Sequence, residues 1–290
     1  MEVTNKYDLP EVFVQFAKSD YEYKDKQYSV TSITKGLKEA ILLRRYADDI
    51  KVDVSEMNNL LLGQAVHLIL EKEPPKDHEV KEKYLKENII DGYKLSGMLD
   101  LYDFLKKTIY DYKTCSVWKV KHEDYKDYYK QLLLYAWMLR KRGYEVNQGQ
   151  AVLVIKDYSK TKSLYDNDYP EKPIIKINFT FSDKKFNKIE KWVYKRFKNI
   201  KKYEQLTDDK IPVCNKKERW ADDDTWAVKK KGNKRAYRVL DTKEEAKKWM
   251  ENNKGNHIEY RPGTDTKCLH YCHVTGFCDY YQENVEVEAS

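Results

Sequence analysis

Residues Leu95 to Thr114 constrain the fold more than any other stretch of the chain. They form two apolar, β-rich runs joined by a short polar turn. The first run carries Gly97-Met98-Leu99-Asp100, and the second carries Ile109-Tyr110-Asp111-Tyr112-Lys113. Side chains two apart on a strand share a face. Asp111 and Lys113 therefore project together while Tyr112 turns away. If the runs pair as a hairpin, Asp100 reaches them from the neighbouring strand.

The flanking segments supply helices and further strands. Ser32 or Thr34 is placed to cap a helix from about Lys35 to Ala47, with Leu37, Ala40, Ile41 and Arg44 at helical spacing. A second helix is expected from Ser55, with Asn58 as an alternative cap, to Glu71, ending before Pro74-Pro75. Its apolar face is broad, so it is expected to be largely buried. A short strand lies within Val80–Ile90, ahead of the hairpin. An amphipathic helix spans 123–142, with Tyr128, Gln131, Leu132, Tyr135, Ala136 and Leu139 recurring at three and four. Gln150–Lys156 reads as a buried strand and Lys172–Phe181 as an edge or half-exposed one. Ser182-Asp183 opens a long basic helix to about Tyr203, with Phe186, Ile189, Val193, Phe197 and Ile200 inward. After Ile211-Pro212 the composition changes. A hairpin over Thr225–Leu240 turns at Lys231-Gly232-Asn233. Thr242 to Glu245 resembles a capping box for a helix to Asn252, and His257–Tyr260 forms a last strand.

Composition narrows the partners. The net charge of +7 and the 25 tyrosines suit a polyanion whose bases or phosphates meet cations and aromatic rings. No apolar run approaches the ~20 residues that span a bilayer. The first residues, Met1-Glu2-Val3-Thr4, lack the basic-then-apolar pattern of a signal peptide. A soluble, cytoplasmic protein is expected, in which cysteines serve as metal ligands or free thiols more often than as disulfides. Within it, two carboxylates beside one ammonium suit divalent-metal binding and phosphodiester chemistry. A surface hairpin with solvated charges carries the same Asp-x-Lys, so the order of the other motifs decides.

That order is Gly63-Gln-Ala-Val-His67 on a helix, Gly97-Met-Leu-Asp100, Asp111-Tyr-Lys113, then Gln131-Leu-Leu-Leu-Tyr135 on a helix. The series resembles the RecB-like branch of the PD-(D/E)XK nuclease superfamily, seen also in phage exonucleases and CRISPR-adaptation nucleases. The resemblance implies an α/β fold, a restriction-endonuclease-like mixed sheet flanked by helices. It implies that His67, Asp100, Asp111 and the carbonyl of Tyr112 hold Mg²⁺ or Mn²⁺. Hard oxygen ligands suit Mg²⁺ and an imidazole tolerates Mn²⁺. Lys113 would orient the attacking water as a charged group beside two carboxylates. Gln131 and Tyr135 would support the site and position the DNA backbone.

Four of the five cysteines follow residue 210, and Cys268, Cys272 and Cys278 are spaced as metal ligands. Cys214 is the natural fourth. The set resembles the [4Fe–4S] ligands of several RecB-like nucleases, although Cys214 follows the core instead of preceding it. Zinc, with His270 and His273 also available, is the alternative, and free thiols a third. The organisation expected is an N-terminal extension (1–27), a nuclease core (28–210) and a Cys-rich subdomain (211–290) with an inserted hairpin and helix. The activity expected is that of a metal-dependent deoxyribonuclease of phage or mobile-element type. An exonuclease acting on DNA ends or single strands comes first, with an endonuclease or a non-catalytic DNA-binding factor as alternatives. A recombination or CRISPR-adaptation protein is the expected partner, and no membrane.

Overall fold

The computed structural model describes residues 1–18 and 23–285. The chain divides into two compact units, one of residues 1–35 and 47–206, the other of residues 36–46 and 207–290.

The first unit is built on a six-stranded mixed sheet. Its strands are β2 (Gln27–Ser29), β4 (Glu79–Ile90), β5 (Tyr93–Asp103), β6 (Thr108–Cys115), β7 (Gln148–Ile155) and β8 (Ile174–Thr180). The order is β2-β5-β6-β7-β8, with β4 paired to β5 as well. A separate two-stranded sheet pairs β1 (Glu2–Thr4) with β3 (Lys51–Asp53). β4 and β5 are antiparallel and close through Asp91-Gly92, both at positive φ. β5 and β6 form the anticipated hairpin, and β6 then runs parallel to β7 across eight residue pairs, Thr108↔Gln148 to Cys115↔Ile155. β6 and β7 thus lie inside the sheet, and alternate residues of β7 are buried, Gly149, Ala151, Leu153 and Ile155. β8 is the edge and alternates exposed and half-buried, as its Ile-Lys-Ile-Asn-Phe pattern anticipates.

The helices of this unit are α1 (Glu11–Ala17), α2 (Val30–Thr34), α4 (Asn58–Glu71), α5 (Val117–Lys121), α6 (Lys126–Arg140), α7 (Lys160–Tyr165) and α8 (Asp183–Tyr203). α6 is buried from Leu132 to Leu139 and packs on β6 and β7. α8 buries Phe186, Ile189, Val193, Phe197 and Ile200 at the predicted spacing, and α6 packs against it. One expectation fails here. None of the residues of α4 is buried, and Leu68 and Ile69 are 59% and 65% exposed. Apolar breadth reports what a helix is able to bury; only a covering layer buries it, and α4 has contact chiefly with β6.

The second unit contains α3 (Leu37–Arg45), which the sequence reading assigns to the core and extends back to Lys35. Ser29 caps α2 instead, its Oγ accepting from Ser32 N at 3.0 Å. The chain then breaks at Lys35, and Gly36 is the N-cap of α3. A Cβ at Gly36 would stand 2.4 Å from Cys214 Sγ, so only glycine fits beneath that sulfur. Buried Lys38 on α3 is paired with Asp279 and donates to the carbonyl of Asp208 at 2.8 Å. The remaining elements are α9 (Lys216–Arg219), β9 (Thr225–Lys229), β10 (Arg238–Leu240), α10 (Lys243–Asn252), β11 (His257–Arg261), α11 (Thr266–His270) and α12 (Asp279–Asn284). The three strands form an antiparallel sheet in the order β10-β9-β11. Thr242 caps α10 through Glu245 N at 3.2 Å. No helix among the described residues is long and apolar enough to cross a membrane.

Candidate active site

The site lies where the sheet forks. β5 and β6 pair from Asp103↔Thr108 to Leu101↔Tyr110, and there the ladder stops. The next opposing residues are Asp100 and Asp111. Past this point β6 follows β7, while β5 pairs with β2 through Leu95↔Tyr28. The amide of Tyr112, released from the ladder, donates to Asp100 Oδ2 at 2.7 Å. A side chain thereby satisfies a donor that would otherwise be lost at the fork.

Asp111 is 2% exposed. Its Oδ1 accepts from Lys113 Nζ at 2.7 Å and from Gln131 Nε2 at 3.1 Å. Its Oδ2 is buried and has no hydrogen-bond partner. A buried carboxylate oxygen left bare is costly, and a cation removes that cost. Asp100 is also buried, and its carboxyl is raised above the usual carboxylate range by burial and then by the charge of Asp111. The Lys113 ammonium and the Tyr112 amide oppose that rise. His67, on α4, places Nδ1 3.9 Å from Asp100 Oδ1, with its ring edge-on to Tyr112 at 6.4 Å.

Gln131 and Tyr135 sit one turn apart on α6, below the fork. Burial pushes the Tyr135 hydroxyl above its usual range, with Asp111 and Asp100 adding to the effect. Tyr135 packs against Gly97 so closely that an added Cβ would meet its ring and hydroxyl at 2.7 Å. Gly97→Ala is therefore expected to cost about 1–3 kcal/mol by overpacking. It should also displace Tyr135 and the neighbouring Gln131. A lowered melting temperature together with impaired activity is the expected result, checked by thermal denaturation and a cleavage assay.

The structure adds one residue that the sequence reading passed over. Glu82, on β4, brings its carboxylate to within 4.8 Å of ligand atoms of both His67 and Asp100. Its carboxyl is raised to about 7 by burial, then by the charges of Asp100 and Glu71. Asp111 lies outside this trio, on the other side of Asp100. His67, Asp100, Lys113, Gln131 and Tyr135 line one cleft of about 740 Å³, with Tyr84 and Met98 half-exposed at its side. Of the predicted residues, His67, Asp100, Asp111, Tyr112, Lys113, Gln131 and Tyr135 are brought to one place.

The four late cysteines all fall in the second unit. Each is a free, half-buried thiol. Burial raises the pKa of all four, that of Cys214 to about 11 and that of Cys268 to about 12. The electrostatic influence of Cys272 on Cys214, and of Cys272, Cys214 and Cys278 on Cys268, shows that they share one neighbourhood. The fifth, Cys115, is buried at the end of β6.

A central mixed sheet with helices on its faces, forked at two acids and a lysine, defines an α/β protein of the nuclease class. The sequence profile of the PD-(D/E)XK nuclease superfamily matches residues 75–279, and the chain belongs to that superfamily. No curated protein matches the chain. Several solved structures are similar to parts of it. SSO0001 is 16% identical, with 63% of this chain and 79% of that one covered and a TM-score of 0.43. A phage related exonuclease from Haemophilus somnus 129PT is 17% identical, with coverage of 65% and 95% and a TM-score of 0.38. An alkaline exonuclease from Laribacter hongkongensis is 11% identical, with coverage of 62% and 90% and a TM-score of 0.38.

Proposed function

We propose that this protein is a divalent-metal-dependent DNA nuclease that removes nucleotides from DNA ends or single strands. The bare, buried Oδ2 of Asp111 beside Asp100 is the observation that carries the reading. It is an anionic position with no protein donor, on the strand opposite Asp100 just beyond the end of the β5–β6 ladder. That donor set fits Mg²⁺ or Mn²⁺, with Asp111, Asp100, His67 and the Tyr112 carbonyl as ligands. When bound, such a cation neutralises charge on the phosphate and acidifies a water.

The chain's own groups do the rest. Lys113, held by Asp111, supplies a fixed positive charge where the phosphate gains negative charge. Gln131 fixes the orientation of Asp111 from below, and Tyr135 holds the cleft floor against Gly97. Tyr84 and Met98 offer an apolar shelf beside the acids, which suits stacking by an unpaired base. The net charge of +7 favours capture of the polyanion.

We further propose that Cys214, Cys268, Cys272 and Cys278 hold a structural metal centre. Four thiols confined together without disulfides fit a metal that draws off their protons. The resemblance of the cysteine set to that of several RecB-like nucleases puts a [4Fe–4S] cluster first and zinc second.

Incubation of end-labelled linear and closed circular DNA, with Mn²⁺, with Mg²⁺ and with EDTA, tests the activity. Linear DNA should be degraded with either metal and circular DNA spared. Cleavage of circles would make the protein an endonuclease. A mobility shift without cleavage under any condition would make it a DNA-binding factor and overturn the proposal.

A further inference from the structure

The geometry points to Glu82 as a ligand to a divalent cation, held jointly with His67 and Asp100; this rests on the reading of the cleft as a metal-dependent site. On β4, Lys81 pairs with Leu101 and Lys83 with Leu99. Glu82 is therefore directly opposite Asp100, yet these two form no ladder pair. On the other side of β5, Asp100 is directly opposite Asp111, again just beyond the last ladder pair. Glu82, Asp100 and Asp111 thus form a row of three carboxylates at one level across three strands.

Nothing in the sheet itself favours that row. Like charges directly opposite one another destabilise a strand pair. Glu82 also has φ of +45°, a left-handed conformation in the middle of a twelve-residue strand that glutamate rarely adopts. A lysine or threonine opposite Asp100 would pair with it, and an ordinary β conformation would complete the ladder. The chain instead turns a third acid toward the first two. The third member of the row, Asp111, is 2% exposed, and its Oδ2 has no hydrogen-bond partner. The imidazole of His67 closes the row on the α4 side, its ligand atom within 4.8 Å of both Glu82 and Asp100. One imidazole and two carboxylates suit a divalent cation of the Mn²⁺ kind, to which each is a ready donor.

The test is titration of the full-length, metal-free protein with Mn²⁺ alone, followed calorimetrically or by the loss of the free-ion electron paramagnetic resonance signal. Glu82→Gln is expected to weaken Mn²⁺ binding by about 10–100-fold, the range seen when groups that support a metal are removed. Glu82→Gly keeps binding equally weak while the metal-free protein melts at or above the wild-type temperature, because glycine adopts positive φ without strain. Glu82→Asp, which retains the carboxylate, should recover part of the affinity. Unchanged Mn²⁺ affinity in Glu82→Gln and Glu82→Gly overturns the assignment of Glu82 alone. Absence of Mn²⁺ binding by the wild type overturns the site reading on which it rests.

Discussion

Asp111→Asn is expected to abolish DNA cleavage and, in the same protein, to raise the melting temperature of the metal-free form. The first effect follows from the position of Asp111. Asparagine keeps the shape, the contact with Gln131 and the packing, but presents a neutral amide where Oδ2 now stands bare. It also leaves the Lys113 ammonium without its carboxylate. Loss of one group that stabilises developing charge costs about 10²–10³-fold in rate. Removal of a ligand and of the Lys113 anchor together should therefore cost about 10³-fold or more. The second effect has the opposite sign because the two acids oppose each other across the fork, the charge of Asp111 raising the pKa of Asp100. Removal of one of two like buried charges relieves that repulsion, while Lys113 is exposed enough to be hydrated. Sites that trade stability for chemistry behave in this way. A cleavage assay with Mn²⁺ and a melting curve in EDTA check both halves. Activity within tenfold of wild type would remove Asp111 from the site.

Cys268→Ser and Cys272→Ser should each empty the metal centre proposed for the second unit. In small metal-dependent domains a structural metal held by thiolates is inseparable from folding; for Zn²⁺ in zinc-finger peptides its binding is worth about 10–16 kcal/mol. The second unit carries a short three-stranded sheet and few long helices, so much of its order is expected to depend on the metal. Wild-type protein purified without air should be brown, with about four irons per chain. Either variant should be colourless, iron-free and cut by protease within residues 207–285 at a rate well above wild type. Colourless, metal-free wild-type protein that resists protease would show that the four thiols are only packed.

The sequence shows the hairpin and its acids because strand parity is a local property. Asp111 and Lys113 are two apart, and their 2.7 Å contact follows from that spacing. The inward stripe of α8 is legible for the same reason, since five apolar residues at helical spacing specify which side is covered. Glu82 is not legible. It stands in a run of alternating Lys and Glu that resembles any solvated strand, and neither its positive φ nor its partner across the sheet is written in local spacing. α4 misleads by the opposite route, being apolar enough for burial yet left open by its neighbours. The break between α2 and α3 depends on Cys214, more than 170 residues further along, which fills the place of a Cβ at Gly36. The grouping of α3 with residues 207–290 depends on contacts equally distant in sequence.

The most direct test is anomalous diffraction from crystals of the wild-type protein soaked in Mn²⁺. An ion is expected in the fork of β5 and β6, bonded to Asp111 Oδ2 and to Asp100, with Lys113 Nζ alongside. Crystals that bind Mn²⁺ elsewhere, or nowhere, with that oxygen still bare would contradict that expectation.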